Sequence, residues 1–365
     1  MRERTRQMVD ALARLVSVES PSGDAVRLRE CAAAVSDLCV KILGIRPEER
    51  EVDGAVHLLL RGGGDPKVLI LGHFDTVWPA GTIWRWPFSV QGERATGPGI
   101  FDMKAGLVQG LYALAALDGL DGVVMLLTSD EETGSERSRT LIEDTARGCR
   151  AVLVLEPSEQ GALKTARKGV SQYTIEIEGR AAHSGLAPEK GANALVELAH
   201  EILAIERIAR PSAGTTVTPT VASAGSAVNT VPASASMDVD VRTASAEEQR
   251  RVDEEMRALR PTVAGTRLKV LGGPNRGALE PSASKELFAR AGEIAQDLGI
   301  GPLEERHVGG ASDGNFTAAL GIPTLDGLGA VGEGAHAEGE HVLVSAMAER
   351  AALVAAMVSE IRAWR

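Results

Sequence analysis

Val68-Leu69-Ile70-Leu71-Gly72-His73-Phe74-Asp75-Thr76 is an apolar run that stops abruptly at a histidine and an aspartate. An unbroken run of this kind suits a strand buried on both faces, and such strands occur in α/β layers with helices between them. The same pattern recurs at residues 123–128, ahead of Ser129-Asp130-Glu131-Glu132-Thr133-Gly134-Ser135, and at residues 152–155, ahead of Glu156-Pro157. Residues 56–60 form a further apolar run, and residues 103–117 (MKAGLVQGLYALAAL) read as an intervening helix. Ionisable residues at strand tips lie where open α/β sheets place their ligand sites.

Outward from this core the texture is readable in both directions. Met8, Leu12, Leu15 and Val16 fall at helical spacing, and Ser20-Pro21-Ser22-Gly23 closes that helix. From about Gly169 the pattern changes: residues 171–178 alternate polar and apolar, as in a strand with one wet face. A helix over 193–208, strands near 216–222 and 234–241, a helix over 247–259 and a strand over 267–271 follow. That order is β-α-β-β-α-β, the split βαβ plan of a small ferredoxin-like domain. After Glu280-Pro281 the α/β texture returns, through Ile322-Pro323-Thr324-Leu325 and a long terminal helix. The chain is therefore read as a discontinuous larger domain (1–167 and 278–365) carrying an inserted domain (168–277).

The bulk numbers agree with two domains, since 365 residues exceed what one core usually serves. A net charge of -11 argues against a nucleic-acid surface, which needs basic patches. No apolar stretch is long enough for a membrane span or a secretory leader, so no membrane partner and a cytoplasmic location are expected. Cys31, Cys39 and Cys149 form no CxxC pair and are expected reduced and buried.

His73 and Asp75 point the same way in an extended segment, which lets the carboxylate orient the imidazole while the other ring nitrogen binds a metal. Gly97-Pro98-Gly99-Ile100-Phe101-Asp102-Met103-Lys104-Ala105-Gly106 places glycines around one aspartate, which allows close backbone approach to an ion. Helix capping by Asp102 would leave those glycines unexplained. The adjacent Glu131 and Glu132 can divide labour, one binding metal and one holding a proton. Glu156 tips another strand, and Gly334-Ala335-His336-Ala337-Glu338-Gly339-Glu340 adds a second histidine. Histidine and carboxylate donors on one α/β scaffold make a dinuclear zinc site the economical reading, although cobalt or manganese would fit with little change.

The motifs GHFDTV, GPGIFDMKAG, DEETGS, LEP and HAEGE, in this order, resemble the co-catalytic zinc peptidase family of glutamate carboxypeptidases, aminoacylases and the ArgE and DapE deacylases. The resemblance covers almost the whole chain. It implies a mixed-sheet α/β catalytic domain with an inserted ferredoxin-like α+β dimerisation domain, and two Zn²⁺ per subunit. Asp102 would bridge the ions, with His73 and Glu156 completing one site and Glu132 and His336 the other. Asp75 would steady His73, and Glu131 would act as general base and then acid. The family often has a cis peptide after the bridging Asp, here Asp102–Met103, and Met103 resembles the glutamate carboxypeptidase branch.

By the same resemblance His183 would reach the active site of a partner subunit, which implies a homodimer; its spacing alone reads as a surface turn. Asn229 and Arg242 resemble substrate-carboxylate residues, Arg242 with the planar fork that suits one. Gly310 and Ser312 sit in a glycine-rich loop like the one that holds the substrate backbone. The implied activity is hydrolysis, by a water that the metals activate, of the amide or peptide bond next to a free α-carboxylate. N-acyl amino acids or dipeptides ending in an acidic residue such as Glu are the first expectation. A deacylase of N-acetyl or N-succinyl amino acids is the rival within this chemistry. A non-catalytic metal-dependent binding protein is the rival outside it, and the presence of Glu131 counts against that. A nucleotide-binding α/β protein ranks far behind, since the sequence has no strand–GxGxxG–helix or P-loop segment. Trp78, Trp84 and Trp86 are read as loop packing rather than as a pocket wall, and His57, His200, His307 and His341 receive no role.

Overall fold

The computed structural model describes residues 2–364, so Met1 and Arg365, the outer ends of the predicted domains and the start of the charged N-terminal segment, lie outside the described residues. The apolar runs become the strands Ala55–Arg61, Val68–His73, Val123–Thr128 and Ala151–Val154 of one six-stranded sheet. Its order is Glu48–Val52, Ala55–Arg61, Val123–Thr128, Val68–His73, Ala151–Val154, Thr324–Leu325. The central pairings are parallel, and the Glu48–Arg61 side is antiparallel, so the sheet is mixed. Every residue of Val68–His73 and Val123–Thr128 is buried, which is why these runs carry no polar alternation. His73 lies beside Thr128 in the register, so Asp75 and Asp130–Glu132 emerge at one carboxyl edge.

Helix Thr5–Val16 buries Met8, Leu12, Leu15 and Val16, the residues whose spacing announced it. The helix after the glycine stretch begins at Ala105 rather than Met103, because Ile100–Lys104 forms a π-turn with non-helical torsions at Asp102 and Met103. Helix Ala25–Leu43 escaped the sequence reading; Asp24 caps it by accepting the Arg27 N–H, and Gly44 ends it at φ 72°. Cys31 and Cys39 lie on its buried face, whereas Cys149 is half-buried rather than buried.

Contacts divide the chain into two compact units, one of residues up to Ala166 with Glu280–Val308 and Ser312 onward, the other of Arg167–Leu279 with Gly309–Ala311. The second unit runs Gly169–Glu178, Ala194–Glu206, Thr216–Ala224, Ser234–Thr243, Ala246–Arg257, Arg267–Arg276, a β-α-β-β-α-β order. Its sheet, ordered Thr216–Ala224, Ser234–Thr243, Gly169–Glu178, Arg267–Arg276, is antiparallel throughout. Tyr173, Ile175 and Ile177 point into this unit's own core while Gln172, Glu176 and Glu178 face outward, which is the alternation seen in the sequence. Among the described residues no helix is long and apolar enough to cross a membrane.

Candidate metal centre and active site

Strand tips and two loops of the first unit bring the acidic and histidine motifs to one place. His73 Nε2 lies 3.3 Å from Asp102 Oδ1 and 3.3 Å from Glu156 Oε1. His336 Nε2 lies 3.5 Å from Asp102 Oδ2 and 3.2 Å from Glu132 Oε2. Asp102 thus turns one carboxylate oxygen to each histidine, as a bridging ligand must. Glu131 joins His73 and Glu156 in one set of donor atoms within 4.8 Å of one another, and His73, Asp102 and Glu132 form a second such set.

The residues fit a metal on an observation independent of any motif. His73 Nε2, Asp102 Oδ1 and Glu132 Oε1 are buried and have no hydrogen-bond partner. Each such atom costs about 1–3 kcal/mol unless something satisfies it, and crowded carboxylates add repulsion. Divalent cations would relieve both, and nitrogen and oxygen donors without thiolates suit zinc and its neighbours. The protonation pattern shows the same tension. Burial opposes ionisation of Asp102, yet the closeness of the His336 and His73 rings outweighs it and holds this carboxyl far below its usual range. Burial, reinforced by the charge on Asp102, pushes Glu132 up against the pull of His336. Asp102 and Glu132 push His336 up to about 10. His73 is also raised, because Asp102, Asp75 and Glu156 outweigh its burial.

Asp75 has more to do than steady His73. The nearest acceptor to His73 Nδ1 is the Asp75 backbone carbonyl at 3.0 Å, with the carboxylate at 3.4 Å. That carboxylate accepts the backbone N–H groups of Glu131 and Glu132, each at 3.2 Å, and the Ser22 hydroxyl at 2.8 Å. It therefore locks the loop that carries both glutamates. His57, which the sequence left without a role, is fully buried beneath that loop and accepts the Ser129 N–H at 3.3 Å.

Glu340, in the same motif as His336, has a role that its sequence context does not reveal. Its Oε1 accepts the N–H groups of Phe101 at 2.7 Å and Asp102 at 2.9 Å, and its Oε2 accepts Gly99 N–H at 3.0 Å and the Trp78 indole N–H at 2.8 Å. Four donors converge on this buried carboxylate, which so holds the loop of Asp102. Asp102 caps no helix, since Lys104 occupies the cap position of Ala105–Leu114 and no side chain closes it. The Asp102–Met103 bond is cis.

The glycines around Asp102 have a steric reason in the fold itself. A Cβ on Gly99 (φ 68°) would meet Thr76 Cγ2 at 2.4 Å, and one on Gly106 would meet the Leu155 carbonyl oxygen at 2.2 Å. His336 itself sits at φ 61°, a left-handed conformation that side chains other than glycine rarely adopt.

In the second unit the segments around His183 and Asn229 pair, through Ser184 N–H to Asn229 O at 3.0 Å and Val231 N–H to Ala182 O at 2.9 Å. Gly185 N–H donates to His183 Nδ1 at 3.1 Å, which leaves Nε2 to carry the ring proton. Arg242 is engaged by Asp240 through a bidentate pair at 2.8 and 2.9 Å. The Gly310 carbonyl accepts from Arg167 at 3.2 Å. Ser312, in the first unit, is fully buried with its hydroxyl on Asp326 at 2.6 Å, so that hydroxyl shapes the loop from within rather than facing a ligand.

Comparison with known proteins places these features in context. The profile described as peptidase family M20/M25/M40 matches residues 69–360. Carboxypeptidase G2 of Pseudomonas sp. (strain RS-16) is 31% identical over 377 residues, covering 98% of this chain and 90% of that protein. The structure of aminopeptidase PepT from Bacillus cereus matches with a TM-score of 0.77 at 21% identity, covering 98% of this chain and 99% of that one. The YXEP protein of Bacillus subtilis, described as a dinuclear metal-binding peptidase of the M20 family, matches with a TM-score of 0.63 at 16% identity over 99% of each chain.

Proposed function

The chain belongs to peptidase family M20/M25/M40 and is a hydrolytic metallopeptidase, and from that premise we propose that it cleaves the amide or peptide bond next to a free α-carboxylate. The substrates are N-acyl amino acids or dipeptides, with Glu as the first choice of leaving residue. The observation that carries this reading is the unsatisfied trio of His73 Nε2, Asp102 Oδ1 and Glu132 Oε1, with Asp102 divided between His73 and His336. The carboxypeptidase name of the Pseudomonas relative and the dinuclear description of the Bacillus subtilis one point the same way.

His73, Glu156, Asp102, Glu132 and His336 would hold two zinc ions, which when bound supply Lewis acidity toward the substrate carbonyl and toward a water. Glu131 takes the proton of the attacking water and returns it to the departing nitrogen, the work of a general base that becomes an acid. Asp75 keeps Glu131 and Glu132 in place through their backbone N–H groups. His183, with Nδ1 engaged by Gly185, offers its Nε2–H to the oxyanion that develops on the carbonyl. Asn229 and Arg242 bind the substrate's carboxylate, Arg242 exchanging Asp240 for it, and the loop of Gly310 holds the substrate backbone.

His183 is proposed to serve a partner subunit's site, so the working form is a homodimer. Two features support this. Strand Thr216–Ala224 pairs on one side only, and Leu186 and Val228, beside His183 and Asn229, are exposed.

The test is hydrolysis of N-acyl amino acids and dipeptides by wild type and Glu131→Ala, with metal content measured on both. Turnover of one substrate class by wild type is expected, with activity lost by about 10²–10⁴-fold in the variant while its metal content is kept. A wild-type protein that takes up no zinc would overturn the reading.

A further inference from the structure

The loop that carries Glu131 and Glu132 is gripped at its middle by Asp75, and its two ends converge on a different acid, Asp313. Thr128 ends the strand Val123–Thr128 and donates its hydroxyl to Asp313 Oδ2 at 2.9 Å. Ser135, just past the turn, donates its hydroxyl to Asp313 Oδ1. One carboxylate therefore closes residues 129–134 into a loop, and both glutamates lie inside it. Thr128 also lies beside His73 in the sheet register, so the closure begins next to a proposed metal ligand.

The loop is shaped to make this closure. The N–H groups of Thr133 and Ser135 both turn back onto the Asp130 carbonyl, at 3.3 and 2.9 Å. Ser135 sits at φ 57°, a left-handed conformation in which glycine would be the ordinary choice. Serine there supplies the hydroxyl that reaches Asp313. The acid itself has a fixed seat. Asp313, Thr128 and Ser135 are all buried, and Asp313 opens the short helix Gly314–Ala319, whose Phe316 and Thr317 are buried too. Ser312 just before it is held by Asn315 Oδ1 at its N–H and by Asp326 at its hydroxyl, at 2.9 and 2.6 Å. A buried carboxylate is costly to a fold unless hydrogen bonds compensate it, and apolar packing would fill the same space. What the carboxylate adds is a defined geometry for the loop.

We propose that Asp313 is a positioning residue for hydrolysis: by clamping both ends of the 129–134 loop it fixes where Glu131 meets the attacking water and where Glu132 meets its cation. This rests on the hydrolytic reading above and extends it to a residue that touches neither substrate nor metal. The clamp acts on the loop of the general base, so its loss falls on kcat. An Asp313 that served only the neighbouring Gly310 loop would act on KM instead.

The experiment measures kcat, KM and zinc affinity, the last by chelator competition, for wild type, Asp313→Ala, Asp313→Asn and Ser135→Ala. Asp313→Ala should lower kcat by about 10–100-fold with KM within about threefold, and weaken zinc binding by about tenfold through Glu132. Hydroxyls accept as well as donate, so an Asn amide can serve both Thr128 and Ser135, and Asp313→Asn should recover most of the lost kcat. Ser135→Ala, which leaves the buried acid in place, should lower kcat by about tenfold even if Asp313→Ala fails to fold. A wild-type kcat in Ser135→Ala, a raised KM in place of a lowered kcat, or an Asp313→Asn as impaired as Asp313→Ala overturns the clamp while hydrolysis stands. If wild type hydrolyses nothing, the function proposed above fails, and the clamp is judged by amide hydrogen exchange over residues 129–135. Faster exchange in Ser135→Ala, with Asp313→Asn close to wild type, sustains it, and unchanged exchange in Ser135→Ala refutes it.

Discussion

Replacing Glu340 with glutamine alters one atom and turns an acceptor against its donors. Each carboxylate oxygen accepts two N–H groups, Phe101 and Asp102 on one and Gly99 and Trp78 on the other, all between 2.7 and 3.0 Å. Whichever way the new amide turns, its NH₂ faces two donors and those bonds are lost. A hydrogen bond to a charged acceptor contributes about 1.5–3 kcal/mol, so two of them give ~3–6 kcal/mol if nothing relaxes. Loop adjustment and entry of water lower this to an expected ~2–4 kcal/mol, a large share of a typical folding free energy. Because the freed N–H groups flank Asp102, zinc affinity should fall with stability, by about 10–100-fold as for other residues that support a ligand. Denaturant unfolding of the zinc-free protein and a chelator competition on the loaded one read the two effects separately. Wild-type values in both would refute the reasoning. Reduced stability with unchanged zinc affinity would show that Glu340 serves the fold and does not position Asp102.

Other expectations follow from single contacts. Asp75→Asn sets an amide against the N–H groups of Glu131 or Glu132, and kcat/KM should drop by about 10–100-fold; unchanged kinetics would detach that loop from catalysis. Gly106→Ala drives a methyl into the Leu155 carbonyl and should cost about 1–3 kcal/mol. Gly292→Ala, in helix Pro281–Asp297 with open space around it, should instead stabilise by about 0.5–1 kcal/mol in the same unfolding assay. In the second unit, burial and then the neighbouring Glu197 push buried Glu201 up to about 7. Its folded pKa lies above the unfolded value, so its contribution is complete in acid and lost as pH rises through about 7. Wild type should therefore lose stability relative to Glu201→Gln between roughly pH 5 and pH 8, and parallel melting curves across that range would contradict this.

What could be read in advance depended on how local its cause was. Val68–His73 and Val123–Thr128 are buried on both faces, so their composition alone identified them. The alternation in Gly169–Glu178 likewise reported one wet face. His73, Asp102, Glu132, Glu156 and His336 were legible because each lies in a short motif. Glu340 and His57 were not, since their meaning depends on donors from residues 78, 99, 101 and 102 and from residue 129, which only the folded chain assembles. The same holds for Gly99 and Gly106, whose neighbours are Thr76 and Leu155. The small sheet of Ser89–Gln91, Arg94–Thr96, Gly332–Glu333 and His341–Leu343 was invisible because each strand is too short to carry a pattern. Helix Ala25–Leu43 has only a weak signature in the sequence although Cys31, Val35 and Leu38 mark its buried face, because charged residues crowd its first turns.

The interruption of the first unit by the second has a consequence for how the protein is made. A chain emerging from the ribosome presents His73, Asp102, Glu131, Glu132 and Glu156 early. It must then complete the whole Arg167–Leu279 unit before His336 arrives. Throughout that interval the nascent first unit holds crowded acidic groups with a single histidine among them, and its sheet lacks Thr324–Leu325. Closure of the proposed donor set is therefore a late event that joins distant parts of the chain. If the proposed two-zinc form is the working one, uptake of the second cation would coincide with the last step of folding, and a cell short of zinc would accumulate chains that are fully translated yet unfinished.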